Sequence, residues 1–115
     1  MELILWRHAE ADDTVPDLKR ELTDKGRKQA SRMADWLTPR LSQDIRILVS
    51  PATRTLQTAQ ALGRGFQRVP ALAPGASADD VLAAADWPDA AYPVLVVGHQ
   101  PTLVVLRAVA TPDWL

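Results

Sequence analysis

The segment Leu3-Ile4-Leu5-Trp6-Arg7-His8-Ala9-Glu10 organises the rest of the chain. Four apolar residues run directly into an Arg-His pair, and a polar, Asp-rich segment follows. A short apolar run with this kind of polar end is typical of a buried strand in a parallel sheet, so we predict a strand over residues 2–7. Ligands of such sheets collect just beyond the carboxyl ends of the strands. Arg7 and His8 are therefore the first candidates for a functional site.

Composition predicts an ordinary globular protein, folded as one domain over residues 1–115. A net charge of −1 gives no general attraction to nucleic acid or to an anionic membrane, so neither is expected as a partner. The absence of Cys excludes disulfides and thiolate sites, and two His argue against a His-rich metal site. We expect no metal and no cofactor. No apolar run approaches the roughly 20 residues of a membrane span, and the N-terminus has no basic leader, so we expect a cytoplasmic protein.

Apolar runs alternate with stretches of helical periodicity along the chain. After a loop over 8–21, Thr23 caps a helix to about residue 39, with Ala30, Met33, Ala34, Leu37 and Leu41 on its buried face. The further predicted elements are a strand over 45–49, a helix from Ser50 (N-cap) and Pro51 to Gly63 or Gly65, an edge strand within 66–71, a helix capped by Ser77 and Asp80, a central strand over 94–97 and a helix from Pro101. This alternation predicts an α/β fold with a mostly parallel sheet.

Basic residues follow three of these strands at the point where each strand ends. Arg7 and His8 follow the first strand, Arg54 lies one turn into the helix after Ser50, and His99 follows the strand over 94–97. In a parallel sheet these side chains would converge beside a helix N-terminus. Two guanidinium groups and two imidazoles suit a dianion, most naturally phosphate. Such a site can simply bind phosphate, or a neutral His can attack phosphorus.

The three segments resemble the motifs of the histidine phosphatase (phosphoglycerate mutase-like) superfamily. The motifs read Arg-His-Ala-Glu-Ala over 7–11, Ser-Pro-Ala-Thr-Arg-Thr-Leu-Gln-Thr-Ala over 50–59 and Val-Gly-His-Gln-Pro over 97–101. Each motif alone is weak, but three in this order, each after a predicted strand, are specific. The short loop at 72–75 is most similar to SixA-type phosphohistidine phosphatases. The resemblance implies a three-layer α/β/α fold with a mostly parallel central sheet, apparently short at the C-terminus.

The resemblance also implies roles for individual residues. His8 is expected to be the nucleophile, with Arg7, Arg54 and His99 holding the phosphoryl oxygens and Ser50 and Gln100 contributing to substrate binding. We expect a neutral His8 and a protonated His99, so that the fold shifts the two histidines in opposite directions. The implied substrate is a phosphorylated protein, such as a phosphotransfer domain of a signalling or sugar-uptake relay. The alternatives are a phosphatase of small phosphorylated metabolites and a phosphate- or phosphoprotein-binding module without turnover.

The sequence departs from the family pattern at three places. Ala9 replaces the usual Gly, which we expect to be tolerated. The segment 72–80, where many ester-cleaving relatives carry a Glu as general acid, contains only Asp79 and Asp80, better explained as first-turn helix residues. Glu10, Asp12 or Asp13 could donate a proton instead, although a phosphohistidine needs a donor less than an ester does. The chain also stops at Leu115, earlier than SixA-like relatives, which predicts an uncovered sheet edge and a homodimer or poor solubility.

Overall fold

The computed structural model describes residues 2–87 and 89–100. Within these ranges four strands form one sheet: β1 (Leu3–Arg7), β2 (Arg46–Val49), β3 (Gln67–Arg68) and β4 (Val94–Gly98). All strand pairs are parallel, in the order β1-β4-β2-β3. The helices are α1 (Asp24–Leu37), α2 (Thr53–Gln60) and α3 (Ala78–Ala84), with short 3-10 turns at Asp17–Lys19, Thr38–Arg40 and Pro70–Leu72. The parallel α/β sheet, the central position of β4 and the edge position of β3 confirm the predictions.

The two faces of β4 show why the fold has three layers. Successive side chains of a strand point to opposite faces of the sheet. Leu95 and Val97 join the core cluster that contains α1 and α2 residues, whereas Val94 and Val96 join the cluster that contains α3 residues. All four side chains are fully buried. An unbroken apolar run is therefore what a central strand covered on both faces requires.

Helix α1 begins at its predicted cap and buries a narrower face than predicted. The Thr23 side chain accepts a hydrogen bond from the Gly26 backbone N–H at 2.9 Å. Ala30, Ala34 and Leu37 are buried, but the prediction that Met33 faces the core is wrong, since 42% of this residue is exposed. Met33 lies beside the buried stripe of Ala30 and Ala34, on the part of the helix surface that faces solvent.

Helix α2 begins at Thr53, two or three residues later than predicted, and Ser50 is not its N-cap. The cap position is Ala52, whose backbone is extended, and it makes no side-chain cap bond. The Ser50 hydroxyl instead accepts the Ala52 backbone N–H at 3.3 Å and pairs with His99. The Ser50 side chain binds His99, the residue that follows β4, and does not cap the helix. Ser50 and Pro51 therefore lie in a turn that precedes α2.

The remaining predictions are borne out in part. Ser77 and Asp80 form the predicted capping box of α3, with both reciprocal bonds present. The segment 8–21 is irregular as predicted, except for the 3-10 turn at Asp17–Lys19 and an isolated antiparallel bridge from Ala11 to Leu22. The predicted helix from Pro101, with Leu103, Val104, Leu106 and Val109, lies outside the described residues. In the part of the chain that the structure describes, no helix is long and apolar enough to cross a membrane.

Candidate active site

The strand register brings the three predicted motifs to one level of the sheet. Arg7 of β1 pairs with Gly98 of β4, and Val49 of β2 pairs with Val97 on the other side of β4. The pairing continues one step beyond the strands, where the His8 N–H donates to the Gly98 carbonyl and the Ser50 N–H donates to the Val97 carbonyl, each at 3.1 Å. The residues that follow these three strands therefore meet at the carboxyl edge, as parallel pairing predicts.

His8 is half-buried and fixed by the backbone of its own turn. Its Nδ1 lies 2.7 Å from the carbonyl oxygen of Ala9. Because a carbonyl oxygen only accepts, Nδ1 carries the proton in the neutral ring, and the lone pair lies on Nε2. This tautomer leaves Nε2 as the nucleophilic atom.

His99 lies beside His8 and is anchored by Ser50. The two imidazole centroids are 5.4 Å apart, with planes inclined by 57°. His99 is only 5% exposed, and its Nε2 lies 2.7 Å from the Ser50 hydroxyl. Its Nδ1 is buried and has no hydrogen-bond partner among the described residues. When the Ser50 hydroxyl donates to Nε2, Nδ1 carries a proton that is available to an anionic oxygen.

Arg54 is the buried cation of the site. The residue is 4% exposed, and it reaches the loop after β1 rather than solvent. Its Nη1 donates to the Asp17 backbone carbonyl at 2.8 Å, and its Nη2 donates to the Asp17 carboxylate at 3.2 Å. The Nε–H is buried and unpaired within the described part of the chain. Unpaired buried donors are costly, so this N–H and the His99 ring mark a place for an acceptor-rich group.

Protein groups shift both histidines in the same direction. Burial lowers the pKa of His99 to about 4, with the charge of Arg54 as the next cause. Burial also lowers the pKa of His8, assisted by Arg54, Arg7 and Arg20 and opposed by the bond to Ala9. The expected opposite shifts are therefore wrong for the protein groups alone, because both rings lie in one desolvated, positively charged place. A neutral His8 agrees with the prediction, whereas burial and the charge of Arg54 oppose the protonation expected for His99.

The other predicted site residues lie at the margin of this cluster. Arg7 is exposed at the end of β1, close enough for its charge to affect His8. Gln100 follows His99 and is exposed. Glu10 is exposed, and its carboxylate accepts a hydrogen bond from the Thr23 hydroxyl at 2.7 Å. Its role as a proton donor stays a prediction, as do the roles assigned to the other residues.

A small cavity beside His99 has mostly apolar walls. Its lining comes from the loop before α3, from α3 and from β4: Leu72, Ala73, Ala76, Val81, Val96 and Gly98. No carboxylate is among these residues. Asp80 serves the capping box instead, and the bonds from Ser77 lower the pKa of its carboxyl group. Of the residues predicted to replace the missing acid, none is among those that line this cavity.

Three structural contributors to the site were not predicted from the sequence. Asp17, within the predicted loop over 8–21, holds Arg54. Thr58 accepts the Ala9 backbone N–H at 3.1 Å and donates to the Arg54 carbonyl at 2.7 Å, which ties the turn after β1 to α2. Gly26 packs its backbone against the carbonyl of Glu10. The charge pair of Asp17 and Arg20, three residues apart, was the available signal for a structured loop.

The backbone conformation of Ala9 explains why this position does not need a glycine. Within the described residues Asp86 is the one non-glycine residue with a positive φ. Ala9 therefore has a backbone conformation that an L-residue adopts without strain. The expected tolerance of this departure from the family motif agrees with the backbone.

Solved structures resemble this chain over most of its length. A protein assigned as the phosphohistidine phosphatase SixA of Nakamurella multipartitia is 38% identical, with a TM-score of 0.78 over 90% of this chain and 62% of that one. The protein histidine phosphatase SixA complexed with tungstate is 31% identical, with a TM-score of 0.81 over 94% of this chain and 75% of that one. A SixA protein of Agrobacterium tumefaciens is 30% identical, with a TM-score of 0.81 over 96% and 77%. This chain thus spans less than two thirds of the Nakamurella protein and about three quarters of the other two.

A comparison with proteins of curated function found no significant match. The model of the histidine phosphatase superfamily (branch 1) matches residues 3–75, which include two of the three motifs. The third motif, at His99, meets the other two in the structure. The chain therefore belongs to the histidine phosphatase superfamily, with the three-layer fold of phosphoglycerate mutase-like proteins.

Proposed function

We propose that this protein is a phosphatase that removes the phosphoryl group from phosphohistidine on a protein, through a covalent intermediate at His8. The observation that carries the proposal is the clustering of His8, His99 and Arg54: the two imidazole centroids are 5.4 Å apart, and the charge of Arg54 acts on both rings. Among the described residues the Nε2 of His8 has no hydrogen bond, and the Arg54 Nε–H and the His99 Nδ1 are buried and unpaired. Nucleophile and anion-binding groups thus lie together. The SixA structures at 30% identity or more support the substrate class.

The proposed reaction has two steps at phosphorus. In the first, the Nε2 lone pair forms a P–N bond while the P–N bond of the substrate breaks, and the leaving imidazole takes a proton from solvent. In the second, a water oxygen attacks phosphorus, the bond to His8 breaks, and orthophosphate is released. Charge on the transferring oxygens is stabilised by Arg54, Arg7 and His99, which is the main requirement of phosphoryl transfer.

The low pKa of His8 favours the first step, because a larger share of the ring is neutral near pH 7. His99 begins neutral for the same reason, and the negative charge of an arriving phosphoryl group would raise its pKa. His99 can therefore gain its proton as the substrate binds.

A phosphoramidate substrate fits the apolar wall beside His99. An alkoxide leaving group needs a proton donor, whereas a leaving imidazole can be protonated by water near neutral pH. The cavity beside His99 offers apolar residues and no carboxylate. We therefore expect slower cleavage of alkyl phosphate esters than of phosphohistidine. The expected partner is a phosphotransfer domain of a cytoplasmic signalling or sugar-uptake relay.

The first experiment measures phosphate release from a phosphohistidine peptide and from an aryl phosphate ester, in chelator. Release from the peptide that His8→Ala abolishes and Glu10→Gln preserves would support the nucleophile and the substrate class together. Release from the ester alone would move the function to small phosphorylated metabolites. A folded protein that binds phosphate but releases none would favour the binding module. Loss of activity in chelator, restored by metal, would contradict the proposed mechanism.

A further inference from the structure

A chain of charged groups links the loop after β1 to the buried cation of the site. The Asp17 carboxylate accepts from Arg20 Nη1 through one oxygen and from Arg54 Nη2 through the other, each at 3.2 Å. Arg20 is itself held by the carbonyl of Asp12, which accepts its Nε–H at 2.6 Å. Asp17 is 55% exposed at its side chain, whereas Arg54 is 5% exposed. A surface carboxylate thus sets the position of a buried guanidinium.

Asp17 contacts one particular edge of the Arg54 guanidinium. Its outer edge, formed by Nη1 and Nη2, is occupied by the Asp17 carbonyl and carboxylate. The adjacent edge carries the Nε–H, which is buried and has no partner among the described residues. A planar guanidinium presents a pair of parallel donors along its outer Nη1–Nη2 edge and another pair along the edge that includes Nε. With the outer edge held at two points, the Nε edge has a fixed direction.

We propose that Asp17 is a positioning residue, which seats the outer edge of Arg54 so that its Nε edge receives the phosphoryl oxygens. The inference rests on the proposed function in one respect, that Arg54 binds the phosphoryl group. Asp17 itself does not touch the substrate, and Arg20 acts by keeping the carboxylate in place. Without the carboxylate, the carbonyl of Asp17 is the one hydrogen-bond partner that the described residues leave to the Arg54 guanidinium, and the group can rotate about this single contact.

A competing role for the same carboxylate predicts the opposite effect. If the phosphoryl group used the outer edge, Asp17 would compete with it, and removing the carboxylate would strengthen anion binding. Orthophosphate binding therefore distinguishes positioning from competition by the direction of the change.

The test compares Asp17→Ala and Asp17→Asn with Asp44→Asn, which removes an exposed carboxylate from the loop before β2, away from the site residues. We expect Asp17→Ala to weaken orthophosphate binding and to lower kcat/KM by about tenfold or more, chiefly through kcat, because misplacement of a catalytic group has effects of this size. Asp17→Asn keeps an acceptor oxygen and should lie between Asp17→Ala and the wild type. The Nε–H resonance of Arg54 should shift on phosphate addition in the wild type and broaden in Asp17→Ala.

Three outcomes separate this inference from the proposed function. If the wild type hydrolyses phosphohistidine and Asp17→Ala stays within twofold of Asp44→Asn, positioning by Asp17 is refuted while the function stands. Tighter phosphate binding by Asp17→Ala would also refute it, in favour of competition. If the wild type binds orthophosphate without turnover, and folded Asp17→Ala binds it more weakly with a broadened Arg54 resonance, the inference stands without the function.

Discussion

The two histidines of the chain are held in different ways, although they lie in one cluster. His8 is fixed through Nδ1 by a backbone carbonyl, which settles its neutral tautomer. His99 is fixed through Nε2 by the Ser50 hydroxyl, a group that can either donate or accept. Both anchors persist when the ring is protonated, but the Ala9 carbonyl fixes one neutral tautomer of His8, whereas the Ser50 hydroxyl allows either tautomer of His99. The fixed tautomer keeps the lone pair of neutral His8 on Nε2, as the proposed nucleophile requires.

Thr58 links α2 to the turn that carries His8, the proposed nucleophile. Thr58→Val keeps the shape of the side chain but leaves the Ala9 N–H without its acceptor. We expect a loss of about 1–2 kcal/mol in the free energy of unfolding, the usual cost of an unpaired buried donor. A fall in kcat of about tenfold should accompany it, because the turn orients His8.

Thr53→Val is the matched control, because its hydroxyl has no hydrogen bond within the described ranges. Denaturant unfolding and turnover of the phosphohistidine peptide measure the two effects. Equal behaviour of the two valine variants would show that the Thr58 hydroxyl does not support the site.

At the scale of elements, the entry of α1 determines how closely the loop after β1 packs. The Thr23 N–H donates to the Glu10 carbonyl at 3.0 Å, and the buried Gly26 lies against the same carbonyl group. A side chain at position 26 would overlap this oxygen. The first turn of α1 can therefore approach the segment next to His8 only because residue 26 has no Cβ.

Gly26→Ala should destabilise the protein, although the same change inside a helix usually stabilises it by up to about 1 kcal/mol. We expect a loss of about 1–3 kcal/mol, as for other overpacked sites. Unfolding in urea measures the change.

Gly65→Ala serves as the comparison, since an added Cβ there meets nothing within 4 Å. We expect its effect to stay within about 0.5 kcal/mol, as for most surface substitutions. A Gly26→Ala protein as stable as the wild type would mean that α1 can move away from Glu10 at little cost.

For the whole molecule, burying two neutral histidines couples folding to pH. The pKa of both groups is lower in the folded protein than the ordinary value of 6.5, to about 4 for His99. Above pH 6.5 both states are neutral and the full stability is present. As pH falls from 6.5 to about 4, the unfolded chain binds protons that the folded protein does not, so stability is lost across this window.

At about 1.4 kcal/mol per pKa unit, His99 contributes about 3 kcal/mol to this loss. The measurement is the free energy of unfolding between pH 7 and pH 4. Since the chain has two histidines, the variant with His8→Ala and His99→Gln should show a flatter profile, and only its carboxylates then respond. The pKa values of Asp17 and Asp80 are also lowered, so both carboxylates stabilise the folded protein. This stabilisation is lost at a lower pH than that of the histidines. Identical profiles for the two proteins would contradict the histidine shifts.

The fold and the position of the main site residues were predictable from local sequence. An apolar run such as 94–97 is stable as a central strand of a sheet that is covered on both faces. The residues that follow parallel strands lie at the same edge of the sheet, so the basic residues at these positions come together. His8, His99 and Arg54 were identified for this reason. The cap of α1 at Thr23 and the capping box at Ser77 also depend only on neighbouring residues.

Contacts between distant segments were decided by the tertiary structure alone. The pairing of Asp17 with Arg54 joins residues 37 positions apart, and Thr58 and Ala9 are separated by 49. No periodicity or spacing encodes such pairs, because each depends on how α2 and the loop pack against the sheet. The same holds for the start of α2, because the Ser50 hydroxyl bonds to His99 and does not cap the helix. The shared direction of the histidine pKa shifts also follows from burial, which exists only once the chain has folded.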